Sequence, residues 1–295
     1  MAGYNEIRGL RVKYLSADPA NPEDGQVWYN STTGNLRVDG IVQAAAWASA
    51  ANAITAMHAG QGFGGQSDAV GAGGYGPALS PAYSNKTDEY NGTSWSEGGN
   101  IGSARYTGQG CGSQTAGLIA GGNPVSNSEA FLGAEEYNGT SWSEQNDVPQ
   151  GTQQMAGAGT QTATAAFGGQ VVPPFNDIQA ETYEYDGSSW TNGGNMGTGR
   201  YNLAGCGTQT AALATGGTTA NPSPPPNFIG RNLTEEYGGT SWTGGGNYPI
   251  GVTGVRTAGT QTAAVAVGGA QAGAWIIASA NEYDGSSWTS TGAMS

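Results

Sequence analysis

The chain has 295 residues, 53 of them glycine, with only 11% charged residues and a formal charge of −13. Glycine at that level without a strict triplet period excludes a collagen-type helix, and the acidic balance argues against nucleic acid as a partner. No apolar run approaches the roughly 20 residues of a bilayer-spanning helix, so no membrane partner is expected, and the N-terminus lacks the basic-then-apolar pattern of an export signal.

Residues 1–56 read as a separate small module. Four of the nine basic residues (Arg8, Arg11, Lys13, Arg37) fall within it. Asp18-Pro19-Ala20-Asn21-Pro22 is a turn-rich lead-in, and two strands are predicted, one ending in Val27-Trp28-Tyr29-Asn30 and one over Asn35-Leu36-Arg37-Val38. Ser31-Thr32-Thr33-Gly34 joins them. The pattern D-P-x-x-P-x-x-G-x-x-W-Y-N-x-T-x-G-x-L-x-V resembles short hairpin segments in fibre and appendage proteins of tailed-bacteriophage virions. That resemblance implies a virion location and other virion proteins as partners, with Trp28, Tyr29 and Arg37 as anchoring residues. The Ala-rich stretch 44–59 has helical propensity, yet Trp47 keeps the spacing of the array that follows, so both readings stay open.

From residue 57 onward a repeat governs the chain. A tryptophan precedes a Gly-Gly pair by 26 residues five times: Trp47 to Gly73, Trp95 to Gly121, Trp142 to Gly168, Trp190 to Gly216 and Trp242 to Gly268. A period of nearly fifty residues marks a radial or stacked array. Each unit begins with a glycine-rich stretch ending in G-[ST]-Q-T, as at Gly159-Thr160-Gln161-Thr162, and continues with an apolar run that stops at Gly-Gly. After a variable segment comes Glu-Tyr-x-Gly-[TS]-Ser-Trp, as at Glu184–Trp190. The Gln-Thr step reads as one tight turn. Asn-Gly and Asp-Gly read as a second, of type I′. Four short antiparallel strands per unit, here termed a to d, make a propeller blade.

The order of apolar run, Gly-Gly, variable loop, Tyr, short turn and Trp resembles the kelch repeat over about residues 57–291. The arginine that kelch repeats carry early in strand a is present only as Arg105 and Arg200. The resemblance implies an all-β fold, a five-bladed kelch-like β-propeller over 57–295 behind the N-terminal β-hairpin module. A six-bladed ring completed by N-terminal strands is the alternative, because six tryptophans (Trp47 to Trp288) share the pattern.

All length variation lies between Gly-Gly and the next tryptophan, at 22, 21, 22, 26 and 20 residues. One face of the propeller is therefore expected to be uniform and the other to carry five distinct b–c loops. Tyr75, Tyr83, Phe131, Phe175, Phe228 and Trp275 in those loops are the candidate partner-binding residues, since apolar loop tips on a rigid scaffold suit recognition. Folding back onto the blades, or packing against another subunit, is the competing reading.

No catalytic, cofactor or metal site is expected. His58 is the sole histidine, and Cys111 and Cys206 occupy equivalent slots in two repeats, as small buried thiols. Glu89, Glu136, Glu184, Glu236 and Glu282 recur at one position, whereas a hydrolytic carboxylate pair is asymmetric, so a structural role is expected, such as accepting backbone hydrogen bonds. The sequence reading is a non-enzymatic virion appendage, homo-oligomeric, touching a host-surface glycan or protein. A capsid decoration or collar protein without host ligand, and a polysaccharide-degrading enzyme, are the alternatives.

Overall fold

The computed structural model describes residues 13–17, 19, 27–38, 48–76, 82–124, 131–171, 177–219, 230–272 and 276–294. The chain divides into two compact units, 1–46 and 47–295. The division falls ahead of the boundary at 56/57 because residues 48–56 lie against the first blade. Trp95 Nε1 donates to Ala51 O at 3.1 Å, and Thr55 N to Asp88 Oδ2 at 3.3 Å. Residues 48–56 form no helix.

In the first unit Val27–Asn30 pairs antiparallel with Asn35–Val38, with Trp28 opposite Arg37 and Tyr29 opposite Leu36. A third strand, Lys13–Leu15, adds in parallel to Val27–Asn30 and has no signal in the repeat-free sequence around it. Asn30 is buried, and its Oδ1 accepts from Thr32 N at 3.0 Å and Thr33 N at 3.1 Å. This side-chain mimic of a backbone turn holds the hairpin closed.

The second unit is all-β, with five four-stranded antiparallel sheets around a common axis. It is a five-bladed β-propeller. Blade 1 comprises Gln61–Gly65, Asp68–Ala72, Thr87–Tyr90 and Trp95–Glu97. Blade 2 comprises Gln109–Ser113, Ala116–Ala120, Ala134–Tyr137 and Trp142–Gln145. Blade 3 is Ala156–Thr160, Ala163–Phe167, Thr182–Tyr185 and Trp190–Asn192. Blade 4 is Ala204–Thr208, Ala211–Thr215, Thr234–Tyr237 and Trp242–Gly244. Blade 5 is Arg256–Thr260, Ala263–Val267, Ala280–Tyr283 and Trp288–Ser290. In each blade strand a lines the axis and strand d lies outermost.

The Gly-Gly pair owes its recurrence to backbone conformation. Both residues take positive φ in every blade, near +65° at the first and between +90° and +115° at the second (Gly121 at +63°, Gly122 at +105°). Only glycine adopts two such values in succession without strain. The c–d turns differ from the type I′ expectation. Gly92, Gly139, Gly187 and Gly285 have positive φ, but the Asn or Asp before each does not. Asp186 N donates to Ser189 O at 3.1 Å, which closes the chain around Gly187 and Ser188 with Gly187 alone at positive φ. The acidic side chain caps the turn from outside: Asp186 Oδ1 accepts from Ser188 N at 2.8 Å and Ser189 N at 2.7 Å. Those donors hold the exposed Asp186 carboxyl at about 2, below the ordinary 3.8.

Four seams join successive blades with one repeated set of bonds. The c-strand tyrosine hydroxyl of each following blade donates to the glutamate of the blade before: Tyr137 to Glu89, Tyr185 to Glu136 at 3.0 Å, Tyr237 to Glu184 at 2.7 Å and Tyr283 to Glu236 at 2.5 Å. Burial first, and the glutamate bond second, raise the phenols of Tyr137, Tyr237 and Tyr283 to about 12. The glutamates thus accept from tyrosine rather than from backbone as expected. The turn glutamine reaches back across the same seam, as when Gln209 Nε2 donates to Thr164 O at 3.2 Å and Tyr185 O at 2.8 Å. Between the sheets lie apolar layers such as Phe167, Ala212, Ala214, Tyr237 and Trp242.

Candidate functional site

Chemistry-bearing side chains in the scaffold are largely engaged with one another. Arg200 is fully buried and donates to Glu235 Oε1 at 2.9 Å, Gly216 O at 3.1 Å and Leu233 O at 3.0 Å. Arg105 makes the matching buried pair with Glu135. Both guanidinium groups are lowered from their ordinary range by burial, opposed by the carboxylate beside them. Cys111 and Cys206 are buried free thiols raised to about 12 and about 11, chiefly by burial. A thiol held so far from ionisation is a poor nucleophile and a poor metal ligand. Among the described residues no group of three His, Cys, Asp or Glu is placed to hold a metal ion.

A cavity of about 640 Å³ is bounded by strand-a backbone such as Gly110, Gly157 and Gly205, and by Asp88 and Trp95 on blade 1. Its axial part is left open by the glycines and alanines of the inner strands.

The variable-loop face is different. Just after Gly-Gly, each b–c loop pairs with the linker that leads into strand a of its own blade: His58 with Tyr75, Asn123 with Tyr106, Gln153 with Gln170, Tyr201 with Thr218 and Thr253 with Ala270. The bonds are reciprocal at blade 1, as they are at blades 3, 4 and 5. Tyr75 N donates to His58 O and His58 N to Tyr75 O, both at 2.9 Å, while Tyr75 also bridges to Tyr83. The result is an aromatic patch across the mouth of blades 1 and 2. Ring centroids lie 4.9 Å apart for His58 and Tyr75, 5.4 Å for Tyr75 and Tyr83, and 5.4 Å for Tyr83 and Tyr106. Tyr75 and Tyr106 are 6.1 Å apart. His58 is exposed and the three tyrosines are half-buried. Packing raises the Tyr106 phenol, by burial first and then by its neighbours Tyr83 and Tyr75.

Of the loop residues singled out by sequence, Tyr75 and Tyr83 therefore share one surface. Phe131 does not join them. It lies under the Arg105 guanidinium, 4.4 Å from ring centroid to Cζ, beside a 110 Å³ cavity that also touches Glu135, Glu144 and Asp147. A cation over the ring face is itself a favourable contact, so Phe131 is partly committed to the scaffold. Phe175, Phe228 and Trp275 lie outside the described residues. In the N-terminal sheet Tyr29 is half-buried and stacks on Tyr14 at 4.9 Å, while the side chains of Trp28 and Arg37 lie outside the described residues. His58 and Tyr106 join the patch although neither lies in a b–c loop. The signal for them was the linker position itself, which precedes strand a and returns to the same face.

The fold and site define a five-bladed β-propeller whose side chains are bonded along its seams and whose loop face carries an aromatic patch. The chain is similar to a solved structure described as "Structure of YjhT", a kelch-type propeller, with a TM-score of 0.66 at 12% identity over 80% of this chain and 84% of that one. At that identity the likeness is one of fold. No family model and no curated protein matches the chain.

Proposed function

We propose that this chain is a non-enzymatic appendage protein of a tailed-bacteriophage virion, displaying its propeller for contact with a glycan of the host surface. The observation that carries the reading is the His58, Tyr75, Tyr83 and Tyr106 patch on the variable-loop face. Adjacent tyrosine faces with hydroxyls at their rims offer apolar area for sugar C–H groups and hydrogen bonds for sugar hydroxyls. The ladder at its root keeps the rings in place, so little ordering entropy opposes binding. Four of the five repeated glutamates accept seam tyrosines, which favours display over hydrolysis. The separate sheet over 13–38, with its phage-like hairpin pattern, supports attachment to a particle through the first unit.

Particles whose copy of this chain carries Tyr83→Ala test the reading. Intact particles with adsorption to their host reduced about tenfold or more, the equivalent of about 1.4 kcal/mol of binding, are the expected result. Undiminished adsorption would overturn host contact at this face, and failure of particles to assemble would favour a decoration or collar role.

A further inference from the structure

The four seams repeat one set of bonds, and among the described residues the faces of blade 5 and blade 1 carry the two halves of that set unmatched. On blade 5, Glu282 is exposed, whereas Glu89, Glu136, Glu184 and Glu236 are half-buried against tyrosines. The b-strand residue Val265 is half-buried, although its counterparts Leu118, Ala165 and Leu213 are at 0% exposure. On blade 1, Tyr90 is half-buried while Tyr137, Tyr185 and Tyr237 are at 0%, and Gln66 is exposed while Gln114, Gln161, Gln209 and Gln261 clamp the blade before them.

The backbone repeats the point. The second glycine of Gly-Gly donates to the next blade's linker from Gly74, Gly122, Gly169 and Gly217, at 2.8 to 2.9 Å, and among the described residues Gly269 has no such acceptor. Around the axis Thr107, Gln154, Asn202 and Gly254 each donate to the linker before, the first to Ala59 O; the described residues give Ala59 N no matching bond to Gly254 O.

The flank is shaped for a particular occupant. Trp95 Nε1 bonds Ala51 O as Trp190 Nε1 bonds Asn146 O, each 44 residues back. Asn146 directly follows strand d of blade 2, so residues 48–50 stand where strand d of a preceding blade would stand. At the other end Met294 N donates to Ala278 O at 2.8 Å, as Val148 N does to Leu132 O at 2.9 Å. The chain after blade 5 is thus already on the path that elsewhere leads into the next strand a. Asp88 faces the same space; it is 2% exposed and its Oδ1 has no hydrogen-bond partner. The three-stranded N-terminal sheet has a different pattern from the blades, with a parallel pair and neither G-[ST]-Q-T nor Gly-Gly.

We propose that a sixth blade position lies between blade 5 and blade 1, and that it receives strands a to c of a glycine-rich blade from a partner polypeptide of the same repeat chemistry. Residues 48–50 serve as its outer strand. The partner contributes a c-strand tyrosine for Glu282 and a turn glutamine for the carbonyls of Ala264 and Tyr283, and it accepts a tyrosine hydroxyl from Tyr90. Edge and face complementarity of this kind follows from repeat arrays, in which each unit is covered only by its neighbours.

The test extends the full chain after Ser295 with a second copy of residues 150–186, which carries strands a to c of blade 3. In the unextended chain, the ladder amides of Ala258, Val265 and Glu282 should exchange faster than those of their blade 3 counterparts Ala158, Ala165 and Glu184, because blade 5 is covered on one face only. In the extended chain the blade 5 amides should slow by about tenfold or more, the melting temperature should rise, and Glu282→Ala should reverse part of that rise without affecting the unextended chain. Unchanged exchange on extension would overturn the proposal. So would exchange in blade 5 of the unextended chain as slow as that in blade 3, which would mean that the flank is already covered by ring closure, by the N-terminal sheet or by a second copy.

Discussion

Replacing Arg200 by alanine is expected to destabilise the propeller by about 3–5 kcal/mol, the range for breaking one side of a buried ion pair. The loss has three parts. Glu235 remains at 7% exposure with its charge no longer balanced, and the carbonyls of Gly216 and Leu233 lose a donor. A cavity also opens where a fully buried long side chain had been. Glu235 Oε2 still accepts from Gly197 N at 2.6 Å, so the carboxylate stays pinned in the low-dielectric seam rather than swinging to water. Lysine does not replace the fork, because one ammonium cannot hold a carboxylate and two carbonyls in that planar arrangement. Thermal melts should show a fall on the order of 10 °C for Arg200→Ala. The Arg200→Met, Glu235→Leu double variant should melt closer to the parent than either single variant, since it removes both charges together.

The second large effect distinguishes a covered blade face from an uncovered one. Leu213 and Val265 hold the same position in strand b of blades 4 and 5. Leu213 is at 0% exposure, packed with Cys206, Ala264 and Tyr283, so Leu213→Ala should cost about 2–5 kcal/mol. Val265 is half-buried, and Val265→Ala should cost less than about 1 kcal/mol. Denaturant midpoints of the two variants measure the contrast. Equal losses would mean that the blade 5 face is covered in solution.

The repeat, the strand order and the uniform and variable faces were legible in the sequence because they follow from local rules. Tight turns require particular residues, and a chain that turns at fixed intervals must stack its strands. Partnerships across seams were not legible. Glu184 and Tyr237 are 53 residues apart, and no local rule joins them; they meet because one blade's forward face lies on the next blade's rear. The reach of the turn glutamines is hidden for the same reason: the G-[ST]-Q-T motif marks a turn, while Gln161 bonds Gly117 and Tyr137 of the preceding blade. The type of the c–d turn was not legible either, because Asn91 and Asp186 cap the turn from outside and leave glycine alone with positive φ. At the site, Tyr75 and Tyr83 could be named from loop variability, but His58 and Tyr106 come from linkers that vary little in length. Their place beside the loops depends on the ladder that ties linker to loop root.

Hydrogen exchange of the full chain with and without polysaccharide from the host surface tests host contact at the variable-loop face most directly. Protection is expected at the amides of His58, Tyr75, Tyr83 and Tyr106 and in the loops beside them, while the opposite face, with Gln161 and Asp186–Ser189, exchanges as before. Protection confined to those a–b and c–d turns, or none at either face, would contradict it.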